Sequence, residues 1–137
     1  MIGERDLRIL LREMRPALDE AAYVITPVTP VVLATQRPTV LGLFHEAEGV
    51  TLIVTTAEAA RLGLPTSPEW AHITLSVHSS LLAIGFMARI ATTLSTAGIS
   101  VNPVAGCYHD HLFVPWPTRQ QAMTTLRQLA EASIGAA

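Results

Sequence analysis

The stretch AHITLSVHSSLLAIGFMARIATTLSTAGISVNPVAGCYHDHLFVPWPTRQQAMTTLRQL, residues 71–129, switches its hydrophobic period from two to 3.6 and back, and this alternation decides the fold. Ala71, Ile73, Leu75 and Val77 alternate with His72, Thr74, Ser76 and His78, the period of a half-buried strand. Ser79 or Ser80 can cap a following helix, whose face Ala83, Met87, Ile90, Leu94 and Ala97 keeps helical spacing. Gly98 ends it. Ile99–Ala105 reads as a strand, Gly106–Asp110 as a turn and His111–Val114 as the return strand. Thr118 with Gln121 forms a capping box that opens a last helix, with Ala122, Thr125, Leu126 and Leu129 on one side. The order is β-α-β-β-α.

Upstream, Leu7, Leu10, Leu11 and Met14 mark one helix face, and Pro16 closes that helix. Tyr23–Thr26 reads as a short strand. The proline-bearing segment from Thr26 through Pro30 to Pro38 reads as a loop or an edge strand. Thr39–His45 and Val50–Val54 flank Glu48-Gly49 as a hairpin, and Thr55 with Glu58 caps a short helix that Gly63 ends. Residues 65–68, Pro-Thr-Ser-Pro, are the linker-like segment. TLIVTTAE (51–58) and HLFVPWPTRQQ (111–121) are both an apolar strand feeding a capped helix, a short internal repeat.

The β-α-β-β-α unit is one strand short of a ferredoxin-like βαββαβ plaque. The first half must supply the missing strand, with Tyr23–Thr26 or its neighbours as candidates. The expected class is α+β, a mainly antiparallel sheet with helices on one face. His72, Thr74, Ser76, Ser100, Asn102 and His111 then point away from those helices, a mixed face that tolerates solvent or a second sheet.

Composition narrows the function. The chain has 137 residues, of which 50% are hydrophobic and 15% charged, so it can bury a core without disulfide or metal. All nine basic residues are Arg against eleven acids, giving a net charge of -2 with no basic stripe for nucleic acid. The single Cys107 excludes an internal disulfide and fits a reducing compartment. No apolar run reaches the ~20 residues of a membrane span, and the charged amino-terminal stretch is not a signal peptide. A cytoplasmic protein with neither membrane nor nucleic-acid partner is expected. From Trp70 to Pro115 the charged side chains are Arg89 and Asp110, a poverty of charge that points to a homo-oligomer, a dimer.

Catalytic constellations are weak. Cys107, His109, Asp110 and His111 form the densest polar cluster, and His109 and His111 could share a face. Along an extended strand Cys107 and His111 stand ~13 Å apart, too far for one metal shell, so the cluster reads as a polar hairpin tip and no metal is expected. Cys107 with His109 lacks an orienting third group and an oxyanion helix, and Ser79 follows His78 on a strand end, where adjacent side chains diverge, with no Gly-x-Ser-x-Gly elbow. The expectation is a protein without catalytic activity or cofactor.

The run from His72 to Trp116, with SVHSSL entering the helix, AGISVN leaving it and GCYHDHLFVPW across the hairpin, resembles an ACT domain. FHEAEGVTLIVTTAEAARLGLP resembles the amino-terminal part of small two-ACT proteins of unassigned function, related to the regulatory ACT pair of aspartate kinases. The resemblance implies an ACT-like half at 1–66 and an ACT domain at 67–137. It further implies a regulatory module that binds a small molecule, an amino acid, where domains pair side by side. The family's site maps onto His78, Ser79, Ser80 and Leu81 in the loop after the strand, and onto Asn102, Pro103, Val104 and Ala105 in the next strand. A capped helix start at Ser79–Leu81 would offer N–H donors to a carboxylate, and Asn102 an acceptor to an ammonium. The loop reads His-Ser-Ser-Leu where many ACT domains have Asp/Asn-x-Pro-Gly. The alternative is a structural or oligomerisation module of the same fold, in which Ser79 and Ser80 merely cap.

Overall fold

The computed structural model describes residues 2–134; Met1 and residues 135–137, the outer ends of the two expected halves, lie outside the described residues. The elements in order are α1 (Leu7–Arg12), β1 (Pro16–Val28), α2 (Pro30–Gln36), β2 (Gly42–His45), β3 (Val50–Thr55), α3 (Thr56–Arg61), β4 (Trp70–Leu75), α4 (Phe86–Thr96), β5 (Asn102–Ala105) and β6 (Asp110–Pro115). A 3-10 turn over Trp116–Thr118 then leads into α5 (Arg119–Ile134). The chain forms two compact units, one of residues up to Asp19 and from Ala71 onward, the other of Glu20–Trp70. The units do not follow the halves of the chain, because Leu10, Leu11 and Met14 of the first helical stretch are buried in one cluster with β4, β6, α4 and α5.

In the first unit the strand order is β1-β4-β6-β5, so β1 supplies the strand that the β-α-β-β-α pattern lacked. Ala71, Ile73 and Leu75 of β4 and Leu112 and Val114 of β6 turn one side to Phe86, Ile90 and Leu94 of α4 and to Ala122, Met123, Leu126 and Leu129 of α5. That is the α+β arrangement expected for a ferredoxin-like unit. Antiparallel pairing of β5 with β6 sets Asn102 opposite Phe113 and Ala105 opposite Asp110. β5 ends the order, and all four of its residues are exposed.

The second unit holds β2-β3-β1, with Tyr23 opposite Thr55 and Val28 opposite Val50. Val24, Val28, Val50, Leu52, Val54 and Ala59 form its core. The Thr55 hydroxyl accepts from the Glu58 N–H and caps α3 as expected, while the Glu58 carboxylate turns to Arg61 and the Thr39 N–H. Those two partners hold the Glu58 carboxyl at about 2.

Four local expectations are corrected. β1 runs for 13 residues rather than over Tyr23–Thr26, because strand pairing overrides the weak β-propensity of Leu18-Asp19-Glu20-Ala21-Ala22. Residues 30–36 are helical rather than loop or edge strand: the Thr29 hydroxyl caps the Val32 N–H at 3.3 Å and Pro30 takes the first turn, where no N–H is needed. The helix expected from Ser79 or Ser80 begins instead at Phe86, after Gly85, whose φ of 92° breaks the helical path. The Thr118–Gln121 box does not form; Thr118 donates to the Pro115 carbonyl and Gln121 to the Ala97 carbonyl.

Leu126 has no exposed surface and lies in the cluster with β4 and α4. Leu126→Ala is expected to destabilise the protein by about 2–5 kcal/mol in urea unfolding, whereas Val31→Ala, on an exposed face of α2, changes stability by less than about 0.5 kcal/mol.

Candidate functional site

The site begins with the segment between β4 and α4, which does not enter a helix. The Met14 carbonyl accepts from Ser76 N–H at 2.7 Å, and further along Glu4 pairs with the loop on both sides. Glu4 N–H donates to the His78 carbonyl and Ser80 N–H donates to the Glu4 carbonyl, each at 2.8 Å, a short parallel bridge centred on Ser79. Gly3 permits this approach: a Cβ there would stand 2.6 Å from the Ser79 carbonyl carbon and the Ser80 nitrogen. The first residues of the chain therefore fix the loop, a role that no local motif in the sequence signals.

Both serine hydroxyls are engaged, though not as helix caps. Ser79, buried, donates to Asp110 Oδ2 at 2.7 Å, and Ser80 Oγ accepts from Leu82 N–H at 3.1 Å. The Ser80 N–H is already given to Glu4, so the donor cluster expected of a helix start at Ser79–Leu81 is not assembled in that form. Leu81, Leu82 and Ile84 project outward, 65%, 70% and 83% exposed.

Two cavities share the wall Ser79-Ser80-Leu81. The larger, about 360 Å³, is completed by Gly3, His78, Leu82, Cys107 and Tyr108. The smaller, about 170 Å³, is completed by Ala83, Phe86, Met87, Ala105 and Asp110. Of the expected ligand-binding residues, His78, Ser79, Ser80, Leu81 and Ala105 line these spaces; Asn102, Pro103 and Val104 line neither and lie along the exposed edge strand. Asp110, Cys107 and Tyr108 come to the cavities through the hairpin turn. Asp110 could have been singled out in the sequence as the one acid in a long charge-poor run.

The polar cluster at the hairpin divides. His111 turns to His72, with His111 Nδ1 2.9 Å from His72 Nε2. His72, expected on a mixed face that tolerates solvent or a second sheet, is buried, stacked 5.2 Å from the Phe113 ring, with Asp19 Oδ2 3.5 Å from its Nδ1. Cys107 is exposed, and among the described residues no group of three His, Cys, Asp or Glu side chains could hold a metal.

Two ACT-domain family models match, over residues 2–69 and 68–128. A Vibrio cholerae protein of unknown function, described as a possible transport protein, is 41% identical, with a TM-score of 0.79 over 88% of this chain and 92% of its own. An Agrobacterium tumefaciens protein superposes at 0.65 with 14% identity, over 84% of this chain and 87% of its own. The regulatory subunit of aspartate kinase from Thermus flavus superposes at 0.63 with 13% identity, over 83% and 95%. No curated protein matches. The chain belongs to the ACT-domain family.

Burial, the neighbouring His72 and His109 lower the pKa of His111, and Asp110 opposes them. A histidine held below its unfolded value favours the neutral form in the fold, so its stabilisation is complete above about pH 6.5 and is lost as pH falls from there through the lower value it has in the fold. The thermal midpoint is expected to drop as pH falls below about 6.5, and His111→Gln to flatten that part of the profile in calorimetric scans.

Proposed function

We propose that the chain is a non-catalytic regulatory module that binds an amino acid on the loop His78–Leu81, beside the edge strand Asn102–Ala105. The observation that carries this reading is the cleft of about 360 Å³ into which His78, Ser79, Ser80 and Leu81 all open. These are the loop residues at which the ACT resemblance implies an effector. The similar Thermus flavus protein is itself a regulatory subunit of aspartate kinase, which fits a control function here. In this reading residues 1–66 and 67–137 are the two ACT repeats; the second supplies the loop and hairpin of the site, and Gly3 and Glu4 of the first complete it. The module works in the cytoplasm, where the exposed Cys107 thiol stays reduced.

The same module is proposed to be a homodimer. β5 is an edge strand with exposed main chain, and Leu81, Leu82, Ile84, Val104 and Tyr108 add exposed apolar surface in the same unit. Edges of that kind pair readily with a second chain. Light scattering is expected to give twice the chain mass at tens of micromolar. Ile84→Arg with Leu82→Arg is expected to give a folded monomer, and a wild-type monomer would remove the proposal.

Ligand binding is tested by thermal-shift measurements against the twenty amino acids. At a hundredfold excess over its dissociation constant a true effector stabilises the fold by about 2.7 kcal/mol, a rise of several degrees for a chain this size. If no amino acid moves the midpoint while the dimer persists, the fold serves assembly alone.

A further inference from the structure

The run from Trp70 to Pro115 carries a single carboxylate. We infer that Asp110 is the anchor for a ligand's primary ammonium group, and that the site selects compact amino acids with uncharged side chains. This rests on the amino-acid reading above and adds to it both the residue that holds the amine and the class of side chain admitted.

The geometry begins with the first residue of β6. Register places Asp110 opposite Ala105 of the edge strand, the last pair before the turn, so it belongs to β6 rather than to the turn itself. Ser79 Oγ donates to Oδ2 at 2.7 Å, and this bond orients the carboxylate beside the cavity of about 170 Å³. Among the described residues no Arg side chain makes an ion pair with Asp110; the titratable groups beside it in the chain are His109 and His111, and His111 is turned to His72. A half-buried carboxylate with one neutral donor is under-compensated, and an ammonium meets it with charge-assisted bonds of ~2.7–2.9 Å.

The remaining walls set the side chain. Leu81, Ala83, Phe86, Met87 and Ala105 are apolar, and the adjoining larger cleft adds His78, Leu82, Cys107 and Tyr108. Neither space is lined by Arg. An acidic side chain would therefore bring a second negative charge to Asp110 with no cation to offset it. A basic side chain would place its own charge against apolar walls. A cavity of about 170 Å³ is also smaller than the ~300–1,000 Å³ of pockets for drug-sized ligands, which limits the occupant to a compact group. The sequence had pointed to Asn102 for the ammonium, but Asn102 lines neither cavity.

The test is calorimetric titration of the full chain with L-alanine, L-serine, L-valine and L-leucine, with L-aspartate and L-lysine, and with N-acetyl-L-alanine and N-acetyl-L-leucine. At least one neutral amino acid is expected to bind, and its N-acetyl form to bind tenfold or more weakly. Asp110→Asn keeps an acceptor for Ser79 but removes the charge; it is expected to weaken the neutral ligand about tenfold or more while the melting midpoint stays near that of the wild type. Asn102→Leu is expected to leave the affinity within about twofold. Neutral binding that ignores Asp110→Asn, or that survives N-acetylation, overturns the assignment while leaving an amino-acid-binding module in place. Tighter binding of L-aspartate or L-lysine than of any neutral amino acid overturns the side-chain class. Failure of all six amino acids removes this inference, and failure of all twenty in the thermal-shift screen removes the reading beneath it as well. Should Asp110→Asn unfold, Asp110→Glu serves instead: it retains charge, displaces it by one methylene, and is expected to shift affinity without abolishing it; unchanged affinity there also overturns the anchor.

Discussion

The burial of one side of β4 is the constraint on which the first unit depends. Ala71, Ile73 and Leu75 have no exposed surface and share a cluster with side chains from α1, α4 and α5. β4 also has a strand on each edge, β1 and β6, so its main chain is satisfied without water. A strand enclosed in this way cannot slip by one residue without turning His72 and Thr74 into the apolar cluster. Its register thus fixes where the chain leaves the sheet at Ser76, and with that the place of the loop whose serines line both cavities.

Much of this was legible in residues 71–129. Period-two alternation placed β4, and the spacing Met87, Ile90, Leu94 placed the buried side of α4, because both patterns are imposed by burial. The misses share a physical origin. Ser79 and Ser80 have the chemistry of helix caps, but their hydroxyls found partners across space and along the loop, in Asp110 and the Leu82 N–H, and no local rule ranks those competitors. Thr29-Pro30 was read through its prolines as a break, although a Thr followed by Pro is equally a helix start. β1 was underestimated because its early residues are poor strand formers that only pairing makes extended. Of the candidate site, the loop was legible through family likeness and Asp110 stood out as the one acid in a charge-poor run; the pairing of Gly3 and Glu4 with the loop, and of Ser79 with Asp110, was not, since these act across long separations in sequence.

The loop gains definition by being pinned at several points rather than by internal regularity. Met14 holds its entrance, Glu4 its middle, Asp110 one serine hydroxyl, and Gly85 turns the chain into α4. Exposed Leu81, Leu82 and Ile84 sit on a backbone held in this way, which presents apolar side chains at low cost in chain entropy. A surface so arranged suits recognition, whether the occupant is a small molecule or a second chain.

The bridge between Glu4 and Ser79 also orders events on the ribosome. The contacts within Glu20–Trp70 are available once that segment has emerged, so the second unit can close early. Residues 3–14 find their partners in β4, the loop beyond it, β6, α4 and α5, all of which follow Glu20–Trp70 in synthesis. Leu10, Leu11 and Met14, buried in the finished fold, therefore lack their native partners on a nascent chain until β4 and the helices beyond it have emerged.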